Sequence, residues 1–144
     1  MQQKIEALTA DDVARLEKQR GWVGDHYDAS ARHEYETVAG KLRLLDTVLR
    51  SNWVEATETW KLQSLGITFG DALAQMMGLQ WVAIEDAQGR DPAFRDEVTS
   101  IVAFPMTTIS KRIERGETVD VLALFDAACQ DISRLRSKLK ATRT

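Results

Sequence analysis

The sequence predicts an α+β fold that is predominantly helical and includes a small antiparallel β-sheet. Apolar residues recur every three or four positions over most of the chain, the spacing that buries one face of a helix. Two short segments depart from that spacing. Residues 79–85 are rich in β-forming residues, and residues 99–104 form a near-continuous apolar run of strand length. We expect these two segments to pair as antiparallel strands across a long loop.

Length and composition predict a single domain over residues 1–144. The chain has 144 residues, of which 44% are hydrophobic and 28% charged, and a typical domain has about 150 residues. Within this domain we expect a helical lead-in over residues 1–55 and an α+β core over residues 56–131. Residues 132–144 are predicted to form a basic C-terminal helix end.

Charge and cysteine content disfavour several classes of protein. A net charge of −3 argues against a dedicated nucleic-acid binder, which would usually be strongly basic. The single cysteine, Cys129, excludes an intrachain disulfide and the C-x-x-C motifs. No apolar run approaches the ~18 residues of a membrane-spanning helix, and the first twenty residues lack a secretory apolar segment. We therefore expect a cytoplasmic protein with no cofactor and no metal site.

Two helices are predicted in the lead-in. Thr9 is a suitable N-cap for the first helix, and Asp12 follows three residues later, as in a capping box. A second helix is predicted after Ser30, and its apolar positions have the most regular helical spacing in the chain. Those positions are Tyr35, Val38, Leu42, Leu45 and Leu49.

A third helix is predicted from about Glu55 to Met77, with Gly78 as a favourable C-terminal residue. Small residues recur along it at every fourth position, namely Gly66, Gly70 and Ala74. This ridge predicts a close approach by another helix or a strand. Asp71 and Gln75 interrupt the otherwise apolar pattern.

The remaining segments are predicted as one loop and two helices. Residues 87–97 carry Gly89 and Pro92 and are predicted to form the loop between the two strands. A short helix is expected over Thr107–Arg115. The last helix is expected to begin near Asp120, which is a good N-cap residue.

An ordered set of motifs extends over residues 60–75, 79–95 and 104–126: a Leu-Gly helix, then WVxxED, GRDP, FP, SKRIExGE and LFD. From about Trp60 to Asp131 the chain resembles an uncharacterised bacterial family, the domain of unknown function 3806 (DUF3806). The resemblance covers about half of the chain. It implies no particular activity, because the family has no established activity to carry over.

The densest polar cluster lies at the end of the first predicted strand and the start of the loop, and comprises Glu85, Asp86, Arg90 and Asp91. Carboxylates beside an arginine could act in acid–base chemistry or hold a hard cation such as Mg²⁺, which prefers oxygen ligands. The alternative is a structural turn, in which Arg90 pairs with Glu85 or Asp86 and Asp91 precedes Pro92. Because neighbouring strand residues point to opposite faces, a site shared by Glu85 and Asp86 is disfavoured.

The helix that begins near Thr107 is a second candidate binding site. Hydroxyl groups and free backbone N–H groups at a helix start can hold an anion, and Lys111 and Arg112 could assist. The alternative is a capped helix with a solvated basic face.

Cys129 and the tryptophans are expected to lie in the core. Cys129 stands on or beside the apolar face of the last helix, where it is predicted to be a small core residue. The four tryptophans could form a platform on which a ligand stacks, but such large aromatic residues are more often pieces of core. They are Trp22, Trp53, Trp60 and Trp81.

Two classes of function are consistent with these features. We favour a protein–protein interaction module of the immunity or accessory type, because residues 85–97 hold five acids against two arginines and could meet a basic partner protein. The alternative is a small-ligand-binding protein or an enzyme that uses residues 85–91, with Lys111 or Arg112 nearby. An enzyme is less favoured, and no catalytic residue is assigned. Membrane and nucleic-acid partners are not expected, and the sequence leaves the oligomeric state open.

Overall fold

A computed structural model of the chain describes residues 4–87, 89–96, 102–103 and 105–142, and it has the predicted α+β, predominantly helical fold. The helices are α1 (Ala10–Gly24), a 3₁₀ helix (Ala29–Glu36), α2 (Val38–Arg50), α3 (Thr59–Met77), α4 (Pro105–Glu114) and α5 (Val121–Thr142). The strands are β1 (Lys4–Glu6), β2 (Gln80–Asp86), β3 (Gly89–Arg95) and β4 (Val102–Ala103).

Capping residues set the helix ends as the sequence predicts. The Asp12 N–H donates to Thr9 Oγ1 at 3.2 Å, and the Thr9 N–H donates to Asp12 Oδ2 at 2.8 Å, which completes a capping box. Helix α3 ends at Gly78, whose φ of 69° is a left-handed conformation that favours glycine. Asp120 Oδ1 accepts the Ala123 N–H at 3.1 Å and caps α5.

The predicted second helix consists of two elements, the 3₁₀ helix and α2, because Thr37 caps a new helix. Thr37 Oγ1 accepts the Gly40 N–H at 2.9 Å and caps α2, while residues 29–36 form the 3₁₀ helix. The chain folds back sharply here: a Cβ added to Gly40 would lie 1.8 Å from the Glu34 carbonyl oxygen. Only glycine fits this approach. The third helix begins at Thr59, four residues after the predicted start at Glu55.

The sheet has the strand order β1-β2-β3-β4, and every neighbouring pair is antiparallel. The prediction of a loop over residues 87–97 was wrong, because residues 89–95 form β3 and pair with β2 along its whole length. The predicted pairing of 79–85 with 99–104 was therefore also wrong: β4 pairs with β3, at Phe94↔Ala103 and Arg95↔Val102. The rest of the predicted second strand, residues 99–101 and 104, lies outside the described residues.

Helix α3 is the centre of the molecule and contacts α1, α2, α4 and α5. Its buried face includes Gly66 and Gly70, two members of the predicted small-residue ridge. Phe69 packs edge-on against Phe125 of α5, with ring centroids 5.8 Å apart. None of the helices in the described ranges combines the length and the apolar character that crossing a membrane requires.

Candidate functional site

A cleft of about 500 Å³ opens between α1, the 3₁₀ helix, α2, α3 and β2. We call it the lysine cleft, after the buried Lys41 in its wall. Six charged side chains and three uncharged polar or aromatic side chains line most of it. They are Glu17, Arg20, Arg32, Glu36, Lys41 and Asp71, with Tyr35, Gln75 and Trp81.

One wall of the lysine cleft is a satisfied ion-pair network between α1 and α3. Arg20 donates to both carboxylate oxygens of Asp71, from Nε at 2.7 Å and from Nη2 at 2.9 Å, and also donates to Glu17 at 2.6 Å. The Trp81 indole N–H donates to Asp71 Oδ1 at 2.8 Å. Burial opposes the charge of Arg20, but its hydrogen bonds to Asp71 and Glu17 raise the pKa of the guanidinium above its usual value. These charges compensate one another within the protein.

Lys41 is a different kind of cation, because its charge is buried without a carboxylate partner. The residue is only 5% exposed, and its ammonium donates to the neutral amide oxygen of Gln75 at 2.5 Å. Among the described residues Lys41 makes no ion pair. Burial lowers the pKa of Lys41, and the more distant charges of Asp71 and Glu36 offset part of that effect.

Tyr35 brings a second cation to the same cleft. The Arg32 guanidinium carbon lies 4.9 Å from the centroid of the Tyr35 ring, and Lys41 Nζ lies 5.1 Å from it. The position of the ring is fixed by a hydrogen bond of 2.8 Å between its hydroxyl and Thr68 Oγ1. Burial raises the pKa of Tyr35 to about 12, so the phenol stays neutral at physiological pH. The Tyr35 ring thus lies within cation–π distance of two cations that both line the cavity.

Arg90, one of the predicted site residues, joins the hairpin formed by β2 and β3 to the N-terminal segment. It donates to Asp12 Oδ2 at 2.7 Å and to Glu6 Oε2 at 2.7 Å, and we call these three residues the N-terminal clasp. The predicted pairing of Arg90 with Glu85 or Asp86 was therefore wrong, although Glu85 is its cross-strand neighbour. The hydrogen bond from Arg90 holds the pKa of Asp12 well below its usual value.

The other predicted site residues do not join one polar site. Asp91 is exposed, while Glu85 and Asp86 are half-buried at the end of β2. On α4, Lys111 is exposed and Arg112 forms an ion pair with Glu117 at 3.5 Å. Within the described ranges, no three His, Cys, Asp or Glu side chains are grouped to hold a metal ion.

The predicted core positions of the tryptophans hold only in part. Trp53 is 52% exposed and Trp60 is 40% exposed, and both lie in an aromatic cluster with Trp22 and His26. Trp81 packs against Phe94 on the other side of the fold. Cys129 is half-buried against the core, and burial raises the pKa of its thiol.

The lysine cleft was not predicted from the sequence, although a local signal for it exists. Lys41 stands three and seven residues before Leu44 and Val48, on the apolar face of α2. A charged residue on an apolar helix face is a candidate for a buried, functional group. Asp71 and Gln75, which interrupt the apolar pattern of α3, are the matching signal on the opposite wall.

Comparison with known proteins identifies the family of the chain and a solved structure with a similar fold. The model of the family described as Domain of unknown function (DUF3806) matches residues 41–125. No curated protein matches the sequence. The fold is similar to a chain in a 1.50 Å crystal structure from Bacteroides thetaiotaomicron, with a TM-score of 0.72 and 13% identity. That similarity covers 89% of this chain and 47% of the other, so the present chain spans about half the length of its structural neighbour.

Proposed function

The chain belongs to the DUF3806 family, whose description assigns no activity, and we propose that it binds a small anionic ligand, a carboxylate or a phosphate, in the lysine cleft. The observation that carries the proposal is Lys41: a cation that is 5% exposed and has only a neutral amide as its hydrogen-bond partner. Burying an unpaired charge is costly, and an anion bound beside it would offset that cost.

The size and charge balance of the lysine cleft support this proposal. Its volume of about 500 Å³ lies within the range of roughly 300–1,000 Å³ that is typical of small-molecule pockets. Asp71 and Glu17 are paired with Arg20. Asp71 and Glu36 attract Lys41 only from a distance, so no described carboxylate contacts its ammonium.

Among the described residues, Arg32 makes one ion pair, a 3.5 Å contact with Asp25, whose side chain is 79% exposed. Because an exposed pair contributes little, the guanidinium over the Tyr35 ring can serve as a second cation for the ligand.

Isothermal titration calorimetry with inorganic phosphate, succinate and citrate tests the proposal. We expect Lys41→Gln to raise the dissociation constant of the probe that binds by about tenfold or more, because a hydrogen bond to a charged group contributes roughly 1.5–3 kcal/mol. The phosphate and carboxylate arms distinguish the two ligand chemistries.

The matched control is Lys111→Gln, the same substitution at an exposed lysine that does not line the cleft. It is expected to leave the dissociation constant unchanged. If the two variants bind every probe as tightly as the wild type, Lys41 does not hold a ligand and the proposal fails.

A second candidate function is a cytoplasmic interaction module. It binds a basic partner protein through the hairpin end, the turn between β2 and β3 with its flanking residues Glu85 and Asp91. The observation that favours it is the acidic character of that end once Arg90 is engaged in the N-terminal clasp. Asp91 is exposed, and the Glu85 carboxylate makes no hydrogen bond or ion pair with the described residues. Complementary charge of this kind speeds and directs association.

Affinity capture from a host extract tests this second candidate, using the wild type and the double variant Glu85→Gln/Asp91→Asn. We expect a protein that is recovered in stoichiometric amount with the wild type to be lost with the double variant. Lys111→Gln/Arg112→Gln is the control for the basic α4 candidate. A partner retained by the hairpin variant and lost with the α4 variant would move the interaction surface to α4.

A further inference from the structure

A second surface, distinct from the lysine cleft, has the features of a contact between copies of the chain. A groove of about 550 Å³ lies between α2, α3 and α5 and is lined mainly by apolar side chains. Leu42 and Phe125 form buried parts of its lining, with 5% and 7% exposure. We call this surface the apolar groove.

The edges of the apolar groove project into solvent. Leu122 of α5 is 64% exposed and Met76 of α3 is 54% exposed, and both line the groove. These are the two most exposed large hydrophobic side chains in the described part of the chain. A groove with projecting apolar edges on one surface can accept the same surface of another molecule, which is what a two-fold symmetric interface requires.

The charges at the rim are also self-complementary. Arg43 and Asp46 line the groove three residues apart on α2. Their present partners are exposed side chains: Glu34 lies 3.4 Å from Arg43, and Arg50 lies 3.0 Å from Asp46. Exposed pairs of this kind contribute little, so they can be exchanged for new partners. With α2 antiparallel to α2 of a second copy, Arg43 of each copy meets Asp46 of the other.

From this self-complementarity we infer that the chain forms a two-fold symmetric homodimer through the apolar groove, with Leu122 of each copy inserted into the groove of the other. The inference is independent of the proposed ligand, because no residue of the lysine cleft takes part.

Sedimentation velocity over a concentration series tests the inference, with light scattering to give the mass. For the wild type we expect the mass to rise with concentration from 16.2 kDa toward twice that value. Leu122→Glu should raise the dimer dissociation constant by about tenfold or more, as truncated hot-spot residues do. Leu135→Glu is the matched control, since Leu135 is 42% exposed on the same helix but does not line the groove.

A mixing experiment tests the rim contact. Arg43→Asp and Asp46→Arg should each weaken self-association, because each places like charges opposite one another. An equimolar mixture of the two variants should restore the dimer, since both contacts are then attractive. A mass of 16.2 kDa at every wild-type concentration would overturn the homodimer and leave the groove to a different protein or to solvent. Equal weakening by Leu122→Glu and Leu135→Glu, or a mixture as weak as its components, would also refute it.

Discussion

The lysine cleft and the N-terminal clasp both place an arginine between two carboxylates, yet they differ in what remains unpaired. In the clasp, Arg90 is shared by Glu6 and Asp12. In the cleft, Arg20 is shared by Asp71 and Glu17, but Lys41 in the same cleft makes no ion pair with the described residues. The arginine of the clasp therefore satisfies every charge in its group, whereas the cleft combines one satisfied wall with a cation that contacts only a neutral amide.

The largest expected effect comes from breaking the satisfied wall of the cleft. Arg20→Met leaves the Asp71 carboxylate, only 13% exposed, with the indole N–H of Trp81 but without its cation. We expect a loss of roughly 2–4 kcal/mol in the free energy of unfolding, because removing one partner leaves a buried charge. Urea denaturation measures it.

Glu17→Gln is the control for this prediction, since the Glu17 side chain is 64% exposed and its pair with Arg20 is expected to contribute about 0–1 kcal/mol. Equal stability of Arg20→Met and the wild type would mean that the Arg20–Asp71 pair does not hold α1 to α3.

A smaller effect, an increase in the free energy of unfolding, is expected when Gln19 is replaced. Its side chain is fully buried, and neither its amide nitrogen nor its amide oxygen has a hydrogen-bond partner in the described structure. Unlike Lys41, Gln19 does not line the lysine cleft. Gln19→Met should raise the free energy of unfolding by about 1–2 kcal/mol, because it removes two unsatisfied groups at similar volume. A variant that melts below the wild type would show that the amide has a structural role.

The smallest expected effect is on the acid sensitivity of stability, to which the N-terminal clasp contributes. The folded-state pKa of Asp12 is depressed, so the clasp contributes stability above the unfolded value of 3.8 and loses it as the pH falls through the lower folded value. Arg90→Gln should therefore lower stability at pH 7 and flatten its decline below about pH 4. Thermal unfolding between pH 2 and pH 7 measures this. An unchanged acid slope would contradict the role of the clasp.

How far the fold can be predicted depends on whether the determining contact is local. Thr9, Asp12, Gly78 and Asp120 act through neighbours in sequence, and all four were identified from the sequence as capping residues. Strand β3 was missed because Gly89 and Pro92 are typical of loops. At Pro92 the described pairing is with β2 alone, and proline is tolerated where a strand has a partner on one side only.

The lysine cleft could not be assembled from the sequence for the same reason. Its hydrogen bonds join Arg20 to Asp71 across 51 positions and Lys41 to Gln75 across 34 positions. The sequence marks Lys41, Asp71 and Gln75 as interruptions of an apolar pattern, but no local rule says that the interruptions on two helices face each other. The hairpin cluster was found because its members are close in sequence, and Arg90 still proved to bind distant residues.

The N-terminal clasp has a consequence for the order in which the protein can fold. Arg90 reaches back 84 positions to Glu6 and 78 positions to Asp12, and β1 pairs only with β2 in the described sheet. During synthesis, strand β1 must wait for its partners until β2 and Arg90 have left the ribosome. Contacts between segments so far apart form slowly, because the chain must close a long loop before they contribute stability. Strand β1 therefore cannot dock until β2 and Arg90 have been made, after α1, α2 and α3 are already present, and ribosome-bound chains that end before Arg90 would leave it exposed to proteases.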